Sequence, residues 1–143
     1  MEEPLLGEKK VVKQSGKARL IIVDTTSDVR EDNDTDVIVT GSHGGKVGGD
    51  YLSKLNVKGV ICNDAGIGKN NAGIASLKVL EEHGIPSATV SSMSSYIGNG
   101  TSTYEQGKIS AVNEIASKLG IVVGMSAKEA ANRMFEALIQ KTK

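Results

Sequence analysis

The sequence predicts an α/β fold: a mainly parallel sheet of four or five strands flanked by helices, in three layers. Short uninterrupted runs of Val, Ile and Leu indicate strands that are buried on both faces. Segments with apolar residues at helical spacing alternate with these runs, as in right-handed βαβ units. We therefore expect one domain over residues 1–143, with a flavodoxin-like or Rossmann-like arrangement.

The strands are expected where the apolar runs are continuous. A fifth, short strand is expected at residues 121–123. Residues 1–17 are expected to form a frayed terminus or an edge strand. No clear helical pattern separates the first two of the main strands, so a parallel and an antiparallel arrangement both stay open. The four main strands are Arg19–Val23, Val37–Thr40, Gly59–Cys62 and Ser87–Val90.

The helices are expected where apolar spacing coincides with capping residues. One short helix covers about residues 49–56, and another runs from about residue 71 to 83, closed by Gly84. A third helix is expected to end at Gly120, and a final helix leaves room for a dimer contact. Capping boxes predict the start of these last two helices: Ser102 with Glu105 or Thr103 with Gln106, then Ser126 with Glu129.

Composition excludes several classes of function. The 143 residues carry 17 Lys and Arg against 17 Asp and Glu, so there is no general attraction to nucleic acid. With no Trp, one Phe and three Tyr, base-stacking surfaces are nearly excluded. No apolar run approaches the roughly 20 residues that span a bilayer, and the first residues lack the apolar stretch of a secretory signal. We expect a cytoplasmic protein, with Cys62 buried in a strand.

Glycine is the unusual feature of the composition. The chain has 17 glycines, above the usual share of about 7%. Ten of them fall in three segments that follow predicted strands, and glycine lets the backbone approach a ligand closely. Because ligands of open α/β sheets bind beyond the carboxyl ends of the strands, these segments predict a binding site. The ten are Gly41, Gly44, Gly45, Gly48, Gly49, Gly66, Gly68, Gly73, Gly98 and Gly100.

Two residues in these segments are candidates for catalysis. His43 stands among the glycines of the second loop, and histidine is suited to general acid–base chemistry near neutral pH. Asp64 directly follows a predicted strand, where it can orient His43 or bind substrate. The alternatives are structural: a hydrogen-bonded histidine in a glycine turn, and an Asx turn at Asp64.

The same segments supply candidate ligand contacts. Backbone N–H groups of Gly44 and Gly45, just before a predicted helix, are expected to hold an anion. Lys69 can pair with a carboxylate or phosphate, although the complete phosphate-loop pattern fails at Asn63 and Asn70. The polar loop 91–103 is expected to close over the ligand. The full set of predicted binding residues is Ser42, Gly44, Gly45, Asn63, Gly66, Lys69, Ser91, Ser94 and Thr101.

We expect neither a metal nor a cofactor. The stretch Asp32–Asp36 resembles the start of a calcium loop, but Val37 and His43 stand where that loop needs Gly and Glu. The two histidines do not form the H-E-x-x-H pattern of zinc enzymes. The dinucleotide pattern is also missing, because the glycines around His43 have the wrong spacing.

The strings GSHGG, NDAGIGK, AGI and IGNGTSTYEQG resemble those of a family of small α/β proteins. The resemblance covers residues 24–125 and implies the fold, without a named activity. The residues themselves predict an enzyme that acts on a small polar, anionic metabolite by acid–base chemistry, with hydrolase, lyase and isomerase reactions all open. The alternative is a non-catalytic metabolite-binding or assembly module, and a homo-oligomer is compatible with both.

Overall fold

A six-stranded sheet runs through the residues that the computed structural model describes, 9–141. The strands lie side by side in chain order, with β2 to β5 parallel and the two outer strands antiparallel to their neighbours. This confirms the predicted three-layer α/β fold, and the first two main strands are parallel. The strands are β1 (Lys10–Ser15), β2 (Ala18–Val23), β3 (Asp36–His43), β4 (Gly59–Asn63), β5 (Ser87–Val90) and β6 (Ile109–Val112).

Helices cover both faces of the sheet. Helices α1 and α2 pack on one face, and α3, α4 and α5 supply the apolar side chains that cover the other. Short 3-10 turns at residues 26–28, 31–33 and 69–74 complete the connections. The helices are α1 (Lys46–Lys54), α2 (Ala75–Glu82), α3 (Gly100–Gln106), α4 (Glu114–Lys118) and α5 (Ala127–Lys141).

The continuous apolar runs of the central strands are explained by burial on both faces. In β2, Leu20 and Ile22 contribute to the core under α5, while Ile21 and Val23 contribute to the core under α1 and α2. Burying an aliphatic side chain of this size contributes about 1.5–3 kcal/mol. The predicted edge strand at the start of the chain is confirmed by β1, which pairs with β2 alone. The rest of that prediction, at residues 1–8, lies outside the described residues.

The prediction of a single helix that ends at Gly120 is wrong. This segment contains α3, then β6, then α4. The residue that caps α3 is Asn99, whose side chain accepts a hydrogen bond from the Ser102 N–H at 2.9 Å, so neither predicted capping box opens this helix. Gly107 is extended and ends α3, and Asn113 caps α4. The error arose because the apolar residues of β6 and of α4, taken together, repeat at helical spacing.

The prediction of a strand at residues 121–123 is also wrong, because this segment connects α4 to α5. Ile121 is buried in the core, whereas Val122 and Val123 are exposed. The final helix is confirmed, and its cap is formed as predicted by Ser126 Oγ, which accepts from the Glu129 N–H at 3.1 Å.

The other two predicted helices are shifted along the chain. The one expected near residue 49 begins at Lys46, and α2 begins at Ala75, after a 3-10 turn. Gly84, with φ of 72°, follows α2 as predicted.

Candidate functional site

The loops that follow the four parallel strands meet at one edge of the sheet, as the sequence predicted. We call this edge the carboxyl rim and define it as residues 24–28, 41–48, 63–74 and 91–101. The loop after β5 extends over the ends of the other strands. In it, the Gly98 N–H donates to the Gly41 carbonyl at 2.6 Å, and the Gly100 N–H donates to Asp24 Oδ1 at 3.0 Å.

Several glycines of the carboxyl rim are required by contacts between its own loops. A Cβ atom at Gly41 would overlap the backbone of Asn99, and one at Gly73 would overlap the carbonyl of Asp64. At Gly44 a Cβ would lie 2.6 Å from the carbonyl oxygen of Gly73. Backbone packed on backbone therefore explains these positions, and close approach to a ligand is not needed to account for them.

Asp64 connects two loops of the rim. Its side chain is buried, and Oδ1 accepts hydrogen bonds from the Gly66 N–H at 2.8 Å and the Ser92 N–H at 3.0 Å. This is the Asx turn that the sequence left open as an alternative. Within residues 9–141, no hydrogen bond joins Asp64 to His43.

His43 is the last residue of β3 and is exposed. It lies beside Asn63 of β4 in the register of the sheet, so the two predicted catalytic positions are at adjacent strand ends. The ring lies against Gly45, where a Cβ atom would be 2.8 Å from His43 Nε2. In the described part of the chain the ring makes no hydrogen bond, which leaves both nitrogens available at the start of α1.

The first turn of α1 has neither a side-chain cap nor an acidic residue. The N–H groups of Lys46, Val47 and Gly48 find no acceptor among the described residues, as is usual for a helix start without a cap. The Gly44 N–H, in contrast, donates to the Asn63 carbonyl at 2.8 Å. The Gly44 N–H group is therefore already bonded and is not free to hold the predicted anion, whereas the same prediction for Gly45 stays a prediction.

Several of the predicted polar groups are hydrogen-bonded within the rim, between its loops or inside one loop. Ser42 Oγ accepts from the Thr26 N–H at 2.8 Å, and Asn63 Nδ2 donates to Ser95 Oγ at 3.1 Å. Ser94 Oγ donates to the Ser91 carbonyl at 2.7 Å.

Three other predicted contacts are exposed. The side chains of Lys69 and Thr101 make no hydrogen bond within residues 9–141, and Gly66 donates its N–H to Asp64. Lys69 and Thr101 are therefore the predicted side chains that remain available to a ligand together with His43.

Sequence reasoning missed two features of the carboxyl rim. Four exposed apolar side chains lie there: Val47, Met93, Tyr96 and Ile97. Four residues of the rim other than glycine have φ between 51° and 69°: Ala65, Ile67, Asn70 and Asn71. The sequence does show apolar residues within a loop of small polar ones, so this feature could have been found. Nothing in the sequence indicates the positive φ angles within residues 65–71.

Other kinds of site gain no support in the part of the chain that the structure describes. Residues 9–141 contain no group of three or more His, Cys, Asp or Glu side chains that could hold a metal ion. Over the same residues, no helix has the length and apolar character that crossing a membrane requires. Burial raises the pKa of Cys62 to about 12, against a smaller lowering by the Ser76 hydroxyl, so this thiol is neutral near pH 7.

No protein-family model, no curated protein and no solved structure matches this chain. The fold and the candidate site therefore stand on the contacts of the chain's own residues.

Proposed function

We propose that the protein binds a small anionic ligand, a carboxylate or a phosphate, at the start of α1. The observation that supports this is the uncapped first turn of α1 beside the exposed ring of His43. Free N–H groups and the helix dipole favour a negative charge at a helix start, and a protonated histidine adds to that attraction.

The surroundings of this turn fit a small ligand. The ammonium group of Lys46 pairs with Asp50 at 3.1 Å, so it leaves no unpaired charge within the first turn. Thr26 Oγ1 would lie 3.6 Å from a Cβ atom at Gly48, which places a hydroxyl group beside the same turn. Val47 is 84% exposed and gives the ligand an apolar contact. Binding then depends on the amide groups, the hydroxyl group and His43.

Of the two functions that the sequence predicted, this geometry favours the non-catalytic one. The proposed partners of His43 are used elsewhere: Asp64 accepts from two backbone N–H groups, and the Gly44 N–H donates to Asn63. An exposed imidazole without an orienting carboxylate is better suited to contacting an anion than to transferring a proton.

An enzyme with His43 as its acid–base group is the second candidate. The backbone of residues 65–71 favours it, because Ala65 and Ile67 have positive φ and strained backbone collects at active sites. In that case the ligand is a substrate of a hydrolase, lyase or isomerase.

The test is an NMR titration of the ¹⁵N-labelled protein with inorganic phosphate and with acetate. We expect the amide signals of Lys46, Val47 and Gly48 to move most, and His43→Ala to weaken binding several-fold. His83→Ala is the matched control and should leave the response of these three amide signals unchanged, because His83 follows α2 and not β3. If the signals of the first turn stay in place at tens of millimolar of either anion, the proposed function is wrong.

A further inference from the structure

A second candidate site lies at the opposite, amino-terminal end of the sheet. Here a cavity of about 180 Å³ opens between the end of α5, helix α4 and the loops that precede β4 and β5. None of the candidate residues of the carboxyl rim lines it, so binding in this cavity does not depend on the proposed function. Its walls are mainly apolar: Val57, Ile85, Ile115, Leu119, Met134 and Leu138.

The ionisable side chains that line this cavity are all basic. Lys58, His83 and Lys141 belong to its lining, and no Asp or Glu does. Their side chains come from three separate elements: the loop before β4, the end of α2, and the end of α5. An apolar cavity that is lined by two lysines and no acidic residue complements a molecule with an apolar body and one negative charge.

The hydrogen bonds of these groups leave them able to bind. His83 Nδ1 lies 3.0 Å from the Val79 carbonyl, which can only accept, so Nδ1 carries the hydrogen and Nε2 is free. Lys58 Nζ donates to the Asn56 carbonyl at 2.8 Å and retains two further N–H groups.

We propose that this cavity binds a small monocarboxylate whose apolar body is about the size of one six-membered ring. A cavity of about 150 Å³ lined by apolar side chains holds a benzene molecule, so the volume here suits a single ring. The ring packs against Met134, Leu138 and Ile85. The carboxylate is held by Lys58 and Lys141, whose charges attract it, and it lies beside the ring of His83.

The test compares benzoate with its neutral analogue benzamide by NMR on the full chain. We expect benzoate to move the amide signals of Val57, Lys58, Gly84 and Ile85, and benzamide to bind at least threefold more weakly. Lys58→Gln should weaken benzoate binding about threefold, as the loss of one exposed charge contact predicts. Lys17→Gln, in the turn between β1 and β2, is the matched control and should have no effect.

A second variant tests the cavity itself. Ala137 lines it, and Ala137→Leu places additional methyl groups in the space that the ring would occupy. We expect this variant to lose benzoate binding while its thermal unfolding stays cooperative and its unfolding temperature does not fall. The proposal is overturned if benzoate leaves these amide signals unmoved, or if benzamide binds equally well. It is also overturned if only the signals of Lys46 to Gly48 respond, since benzoate would then bind at the carboxyl rim instead.

Discussion

The two ends of the sheet are built in different ways. At the carboxyl rim, small residues allow the loops to contact one another through their backbones, as Gly41 does with Asn99 and Gly44 with Gly73. At the amino-terminal end, large side chains of α5, α4 and two loops surround a space of about 180 Å³ that they do not fill. The same strands therefore end in loops that pack on one another on one side and in the cavity between α5, α4 and two loops on the other.

This difference changes what the glycine-rich segments mean. A cluster of glycines after parallel strands predicts a ligand site, and the carboxyl rim does carry an uncapped helix start. Yet Gly41, Gly44 and Gly73 are needed for loop packing, and a cavity lies at the end of the sheet where few glycines occur. Glycine content alone therefore does not separate a ligand site from closely packed loops.

The largest effect is expected from adding one methyl group to the carboxyl rim. Gly73→Ala forces a Cβ atom onto the Asp64 carbonyl, and backbone cannot move aside as a flexible side chain can. We expect the free energy of unfolding to fall by about 3 kcal/mol or more, at the upper end of overpacking effects. Chemical denaturation measures it.

Gly48→Ala is the matched control in the same rim. A Cβ atom there lies 3.6 Å from Thr26 Oγ1, an ordinary contact, and alanine favours a helix over glycine by about 1 kcal/mol. We expect unchanged or slightly higher stability. Equal losses in the two variants would contradict a packing role for the rim glycines.

A slightly smaller effect is expected at the amino-terminal end, where Asn113 connects three elements. Its side chain is buried, donates to the Leu77 and Ile85 carbonyls, and accepts from the Ser87 and Ala116 N–H groups. Asn113→Ala leaves those groups without partners and should lower the free energy of unfolding by about 2–3 kcal/mol.

Asn132→Ala is the control for this measurement. Asn132 accepts one hydrogen bond, from Lys13, at a half-exposed position of α5, so its loss should change stability by less than about 0.5 kcal/mol. If Asn113→Ala has an equally small effect, then Asn113 does not hold this end of the fold together.

The last prediction concerns the reactivity of Cys62, which lies between the two ends. Burial raises its pKa from 9.0 to about 12, so the neutral thiol stabilises the fold. That contribution is fully present below about pH 9 and is lost as the pH rises toward 12. At pH 8 we expect a thiol reagent to modify Cys62 at least a hundredfold more slowly than the exposed thiol of Val47→Cys in a Cys62→Ala background. Comparable rates would show that Cys62 is accessible in the native protein.

The central fold could be predicted because its signal is local. Strands such as β2 and β3 are continuous apolar runs, and runs of this kind arise when both faces of a strand are buried. The elements from α3 to α4 could not be predicted from the spacing of apolar residues, because the apolar residues of β6 continue into those of α4 with one helical repeat. Gly107 and Asn113 were the signals that divide it.

The place of the candidate site in the fold could be predicted from the sequence, whereas the contacts of its residues could not. The meeting of the loops at one edge follows from the parallel strands, and His43 lies there. The role of Asp64 depended on the Ser92 N–H group that donates to it, and the role of Gly44 on the Asn63 carbonyl that accepts from it. Such contacts between loops leave no pattern in the sequence. The cavity at the other end likewise depends on side chains far apart in the chain.

The most direct test of the contrast between the two ends is one set of NMR spectra recorded with phosphate alone, benzoate alone, and both together. We expect phosphate to move the amide signals of Lys46 to Gly48 and to leave those of Gly84 and Ile85 in place. Benzoate should move Gly84 and Ile85 whether or not phosphate is present. Two separate sites would be contradicted if phosphate moved the signals of Gly84 and Ile85, or if it abolished the movement of these signals that benzoate causes.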